Sequence, residues 1–168
     1  VYTFHGRSND ATVFDAVSGA VKATIKLPGK PEFAQVDVKA GRIYNHSETT
    51  DEIVAIDTAS HAVVGNWPIK PAEGASGLAL DLANHRLYAV TDKLMAVVDS
   101  ISGKLLSTFP IGAGPDAAAY DPGTGLIFSS NSDGTMTIAK SDAAGKLTLV
   151  QTVATPARSR TMTLDPKT

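Results

Sequence analysis

The stretch Met95-Ala96-Val97-Val98-Asp99 decides the fold, because it is the third of its kind. Ile53-Val54-Ala55-Ile56-Asp57 stands 42 residues before it, and Ala11-Thr12-Val13-Phe14-Asp15 another 42 before that. Each is a short apolar run closed by aspartate. Three residues past each aspartate comes a turn signal, Ser18-Gly19, Ser60-His61 and Ser102-Gly103, and Ala144-Gly145 continues at the same interval. A second series keeps time with the first: Val36-Asp37, Leu80-Asp81, Tyr120-Asp121 and Leu164-Asp165. After three of these aspartates a strand-like pair begins, Ile43-Tyr44, Leu87-Tyr88 and Ile127-Phe128, and Val1-Tyr2 fills the same slot 42 residues before Ile43. Two landmark series in register along the whole chain mark an internal repeat.

One period holds four short apolar segments of strand length. In the second unit they are 32–38, 42–46, 52–57 and 62–68; in the third, 77–82, 86–90, 95–99 and 104–109. Between them lie turn pairs such as Ala40-Gly41 and Asp133-Gly134, the latter suited to the positive φ of a tight hairpin turn. No segment carries a sustained apolar stripe at helical spacing. Four strands every 40 to 45 residues describe a propeller blade, so the expected class is all-β, a β-propeller of four blade repeats. The chain reads as one propeller segment over 1–168: a partial blade at 1–27, blades at 28–69, 70–111 and 112–155, and the first strand of a next blade within 156–168. Because it starts at a second strand and stops after a first one, an open arc of a larger ring is expected, the alternative being four blades closed on themselves. Open blade edges of this kind also suit a homodimer, since each blade buries its face on a neighbour.

Composition narrows the function classes. The 168 residues are 43% hydrophobic and 19% charged, with a formal net charge of −2 and no long run of either sign. That distribution is the wrong one for gripping nucleic acid or an anionic membrane. No apolar stretch approaches the roughly 20 residues of a membrane-spanning helix. With no cysteine there is no thiolate metal site, disulfide or cysteine nucleophile.

Several stretches resemble the YVTN-repeat (YncE-like) propeller proteins of bacteria. They are Phe4-His5-Gly6-Arg7-Ser8-Asn9-Asp10-Ala11-Thr12-Val13, Gly29-Lys30-Pro31-Glu32-Phe33, Ser76-Gly77-Leu78-Ala79-Leu80-Asp81 and Lys93-Leu94-Met95-Ala96-Val97-Val98-Asp99. Phe128-Ser129-Ser130-Asn131, Asp133-Gly134-Thr135 and the run from Arg160 to Thr168 complete the set. The resemblance implies seven blades, a periplasmic or extracellular location, and no general set of catalytic residues to carry over.

Propellers bind at one mouth of the central channel, where the connections between blades meet the loops joining the middle strands. Loops on a rigid scaffold are where function concentrates. At the start of successive blades the repeat's own pattern is broken by Glu32, Ser76, Asp116, Arg158 and Arg160; Arg7 and Asn131 lie in the neighbouring loops. Read functionally, these form a mixed-charge mouth for a small polar or anionic ligand, with the arginines as forks for carboxylate or phosphate. Read structurally, they are solvated loop residues. A protein partner is the other reading of the same surface, and no cofactor is called for. His5 and His46 end equivalent strands and are the nearest thing to a metal pair, but they occupy offset slots and lack tight ligand spacing. His61 and His85 fall in turns at the opposite face. The recurring aspartates are read as turn closers that accept backbone N–H groups. A propeller enzyme, lactonase-like or quinoprotein-type, stands as the alternative on fold analogy alone, and an inactive structural fragment as a third reading.

Overall fold

The structure is a computed structural model and describes residues 1–165. It contains fifteen strands: β1 (Tyr2–His5), β2 (Asp10–Phe14), β3 (Val21–Lys26), β4 (Pro31–Asp37), β5 (Arg42–Ser47), β6 (Glu52–Asp57), β7 (Ala62–Pro68), β8 (Leu78–Asp81), β9 (Arg86–Val90), β10 (Leu94–Asp99), β11 (Leu105–Pro110), β12 (Pro115–Asp121), β13 (Leu126–Asn131), β14 (Thr135–Ser141) and β15 (Leu147–Ala154). They form four antiparallel sheets in chain order: β1–β3, β4–β7, β8–β11 and β12–β15. Among the described residues there is no helix, and so none long and apolar enough to cross a membrane. The architecture is the all-β propeller expected from the repeat, with four blades, the first showing three strands among the described residues.

The apolar runs of the second and third blades are continuous because their middle strands are buried on both faces. Side chains alternate across a strand, and β6 divides accordingly. Val54 and Ile56 join Ala11, Val13, Ile25 and Leu27 of the first blade. Ile53 and Ala55 join Leu78, Leu87, Ala96 and Val98 of the third. A further cluster, with Tyr88, Val90, Met95, Ile127 and Ala139, fills the seam between the third and fourth blades. Each seam thus has its own core. The first strands lie innermost, with β8 touching both β4 and β12.

The aspartates close turns, as the repeat suggested. Asp15 Oδ1 accepts from Val17 N, Ser18 N and Ser18 Oγ; Asp57 Oδ1 from Ala59 N, Ser60 N and Ser60 Oγ; Asp99 Oδ1 from Ile101 N, Ser102 N and Ser102 Oγ. In the other series Asp81 accepts from Ala83 N and Asn84 N, and Asp121 from Gly123 N and Thr124 Oγ1. Donated N–H and O–H groups favour the carboxylate form. Ser60 foremost, with Arg42 behind it, holds Asp57 down at about 2, and the Ser18 N–H with Lys22 lowers Asp15 as well.

Two features depart from expectation. Each third-to-fourth-strand ladder carries a register shift, at Val13/Phe14, Ala55/Ile56, Val97/Val98 and Ile138/Ala139, so a β-bulge recurs with the repeat. The strand expected at 160–164 is not formed; residues 155–165 are irregular. A ladder needs a partner strand, and the segment instead bonds to loops and strand ends of the fourth blade, where Ser130 Oγ donates to the Arg160 carbonyl. Residues 166–168 of the expected final turn lie outside the described residues.

Candidate functional site

The connections between blades end beside the loops that join second to third strands. Backbone bonds fix this three times over: Glu48 N to Lys30 O at 2.8 Å, Asp92 N to Glu73 O at 3.0 Å, and Ser132 N to Gly114 O at 3.0 Å. The inner strands are neighbours, so these loops share one rim at the start of β4, β8 and β12.

At the second blade, Glu32 does not stand alone. Lys30 Nζ lies 2.8 Å from Glu32 Oε1 and also pairs with Glu48. The bonds to Glu32 and then Glu48 hold the Lys30 ammonium above the usual lysine range. Backbone bonds seat this triad, since Lys30 N donates to Thr49 Oγ1 at 3.0 Å. At the third blade, Ser76 turns inward: its Oγ donates to Pro115 O at 2.9 Å, stitching the third blade to the fourth. At the fourth, Asp116 Oδ1 lies 3.9 Å from Arg160 Nη2, with both side chains substantially open to solvent. An exposed pair of this kind is worth about 1 kcal/mol or less, which leaves the guanidinium available to another anion.

Arg158 sits beside Arg160 on an unusual backbone. Its φ is +70°, in the slot where the preceding blades place Gly74 (φ +77°) and Gly114 (φ +62°), each seven residues before the closing aspartate. A bulky residue in the left-handed region is strained, and here Arg158 N donates to Ser132 O at 2.8 Å. Its side chain is exposed, as is that of Arg7 in the β1–β2 turn, and neither has an ion pair among the described residues.

Asn131 is different: it is fully buried. Its Nδ2 donates to Thr135 Oγ1 at 3.0 Å and Thr137 Oγ1 at 3.1 Å, and its Oδ1 accepts from Ser129 Oγ at 2.8 Å. It braces the rim from beneath, where Gly112 approaches so closely that a Cβ would fall 2.5 Å from Asn131 Nδ2.

Among the described residues no three His, Cys, Asp or Glu side chains gather at metal-binding distance. His5 is exposed, with Nε2 3.1 Å from Thr12 Oγ1. His46 is buried, and its Nδ1 lies 3.3 Å from Gly77 O.

Sequence reasoning passed over Lys30 and Glu48. The available signal was a cation next to Pro31-Glu32 in a connection already marked as functional. It also passed over a cleft of about 920 Å³ at the opposite end, between the turns that follow β4 and β8. Its signal was a set of aliphatic residues in turns: Val38, Leu82 and Ile101.

No protein-family model matches the sequence, and no curated protein does. Solved structures match the fold. A functionally unknown protein from Desulfotomaculum acetoxidans DSM 771 superposes with a TM-score of 0.80 at 19% identity, over 91% of this chain and 50% of that one. Kuenenia stuttgartiensis hydrazine synthase gives 0.74 at 18%, over 88% and 49%. A putative 6-phosphogluconolactonase from Bacteroides uniformis ATCC 8492 gives 0.75 at 14%, over 92% and 51%. The chain spans about half the length of each of these proteins. At such identities the likeness speaks for architecture alone, and the architecture is a β-propeller.

Proposed function

We propose that this chain is the ligand-carrying arc of a binding propeller, taking a small anionic ligand at the rim of the channel mouth without chemical conversion. The observation that carries the reading is the gathering of unlike charges where the blades depart from their repeat: Lys30 with Glu32 and Glu48, and Arg160 with Asp116, beside Arg158, which has no ion pair among the described residues. The repeated aspartates, in contrast, are consumed in turns. A rim of loosely paired, solvent-open guanidinium groups is suited to receiving a carboxylate or phosphate bidentately. Arg158 on its strained backbone adds to that reading, because such strain persists at binding sites when the surrounding bonds impose it.

The same reading takes the arc as part of a larger ring of the YncE-like kind, seven-bladed and exported to the periplasm or beyond. The residue resemblance supports this, together with solved propeller-like structures about twice the length of this chain.

The test is calorimetric titration with citrate and with inorganic phosphate, on the wild type, Arg158→Ala and Arg160→Ala. Saturable binding by at least one anion, weakened roughly tenfold or more by either substitution, is the expected result, an arginine–anion bond of this type carrying about 1.5–3 kcal/mol. Absence of binding, or affinity unchanged in both variants, would overturn the reading.

A further inference from the structure

The cleft of about 920 Å³ lies at the seam of the second and third blades, at the end of the molecule away from the charged rim. Both its walls belong to blades with a neighbour on either side, so its shape does not depend on the edges of the arc. Four of the exposed large hydrophobic side chains converge on it: Val36 (53% exposed), Val38 (83%), Leu82 (54%) and Ile101 (71%). Scattered apolar residues on a surface need no explanation, but a contiguous group lining one concavity does. Its volume is that of a small-molecule pocket.

The repeat itself supplies the control. The equivalent seam between the third and fourth blades holds a cleft of only about 290 Å³. There Tyr120 occupies the slot before the closing aspartate that Leu80 occupies one seam earlier, and its ring lies 5.7 Å from that of Tyr88. At the larger seam the matching tyrosine, Tyr44, lines the cleft and is held against its wall. Its hydroxyl donates to Ser100 O at 2.9 Å, and its ring leans on Trp67. Two seams built from one repeat have therefore diverged, one filled by a second tyrosine and the other left open and aliphatic.

The charges at its edge are unequal. Asp37 is buried and accepts from Ala40 N, and Arg42 is paired with Asp57. Lys39 is exposed and has no ion pair among the described residues. An apolar floor with the Lys39 ammonium at its edge, beside the exposed His85, complements an apolar chain ending in a negative group. We infer that this lower cleft is a binding site for a free amphipathic carboxylate, its aliphatic body against Val38, Leu82 and Ile101 and its head at Lys39. The inference is independent of the rim, so either can fail without the other.

Titration with dodecanoate below its micelle-forming concentration tests it. The wild type should bind one equivalent saturably. Leu82→Asp and Ile101→Asp should weaken binding at least tenfold, and Lys39→Glu about three- to tenfold. Val17→Asp, at a more exposed aliphatic site outside the cleft, should leave it unchanged. Dodecanol, which has the chain without the charge, should bind at least threefold more weakly than dodecanoate. Lys39 is exposed, so its substitution keeps the test open should an aspartate variant misfold. No saturable binding, equal binding by all variants, or binding only to phosphatidylglycerol vesicles and not to free dodecanoate would overturn the proposal.

Discussion

His46 sets the sharpest conflict between a side chain and its surroundings. A carbonyl can only accept, so the contact with Gly77 O requires the proton to sit on Nδ1. That leaves Nε2 as a buried acceptor without a donor among the described residues. Protonation would place a charge at that unpartnered nitrogen, and burial, only partly offset by the Gly77 and Ser76 carbonyls and by Asp51, lowers the imidazole to about 4. The unfolded chain, at the ordinary value near 6.5, takes up its proton first as pH falls. The contribution is therefore complete above about pH 6.5 and declines between about 6.5 and 4, by on the order of 3 kcal/mol at about 1.4 kcal/mol per unit. The equivalent slots in the other blades hold Phe4, Val90 and Ser130, so the repeat accepts uncharged residues there. His46→Val should flatten the denaturation midpoint between pH 6.5 and 4, at a cost of about 1–2 kcal/mol near neutrality from altered packing. Urea titrations of both proteins across that range measure it; an unchanged slope in the variant would remove His46 as the cause.

Strands, turns and seams were legible in unequal degree. The middle strands were plain, because burial on both faces writes an unbroken apolar run such as Ile53-Val54-Ala55-Ile56. The turn aspartates were plain too, since their recurrence is itself the sign of a shared structural duty. The recurrent bulges were invisible, because an extra residue inserted into every fourth-strand ladder leaves the period of 42 intact. Lys30 with Glu48, separated along the chain, meet only through folding, and the lower cleft arises from what one seam lacks relative to the next. The inner strands hold a further constraint that composition hides. A Cβ on Gly77 would lie 2.6 Å from Ala118 N and 2.8 Å from Ala117 C, which are backbone atoms that cannot swing aside. Gly77→Ala should destabilise the β8–β12 contact by about 1–3 kcal/mol, as overpacking does, measurable as a lower unfolding midpoint. A variant as stable as the wild type would show that the inner strands are less tightly apposed than described.

On the scale of the whole molecule, four blades and three seam cores make a quasi-linear array in which each blade is stabilised by its neighbours. Symmetry of this kind supplies the scaffold and cannot supply a site. A site needs residues that differ from blade to blade, and these gather in two places: the charged rim, where Glu32, Ser76, Asp116 and Arg160 take the same slot, and the lower seam with its aliphatic turns. The central claim is that binding resides in these departures from the repeat and not in the aspartates that recur. The most direct measurement is a two-dimensional amide NMR spectrum of the 17.4 kDa chain, assigned and titrated with citrate. The account predicts shifts confined to residues around Lys30–Glu32, Glu48, Asp116 and Arg158–Arg160, with the turns at Asp15, Asp57 and Asp99 unmoved. Shifts centred on those turns, or none anywhere at saturating citrate, would contradict it.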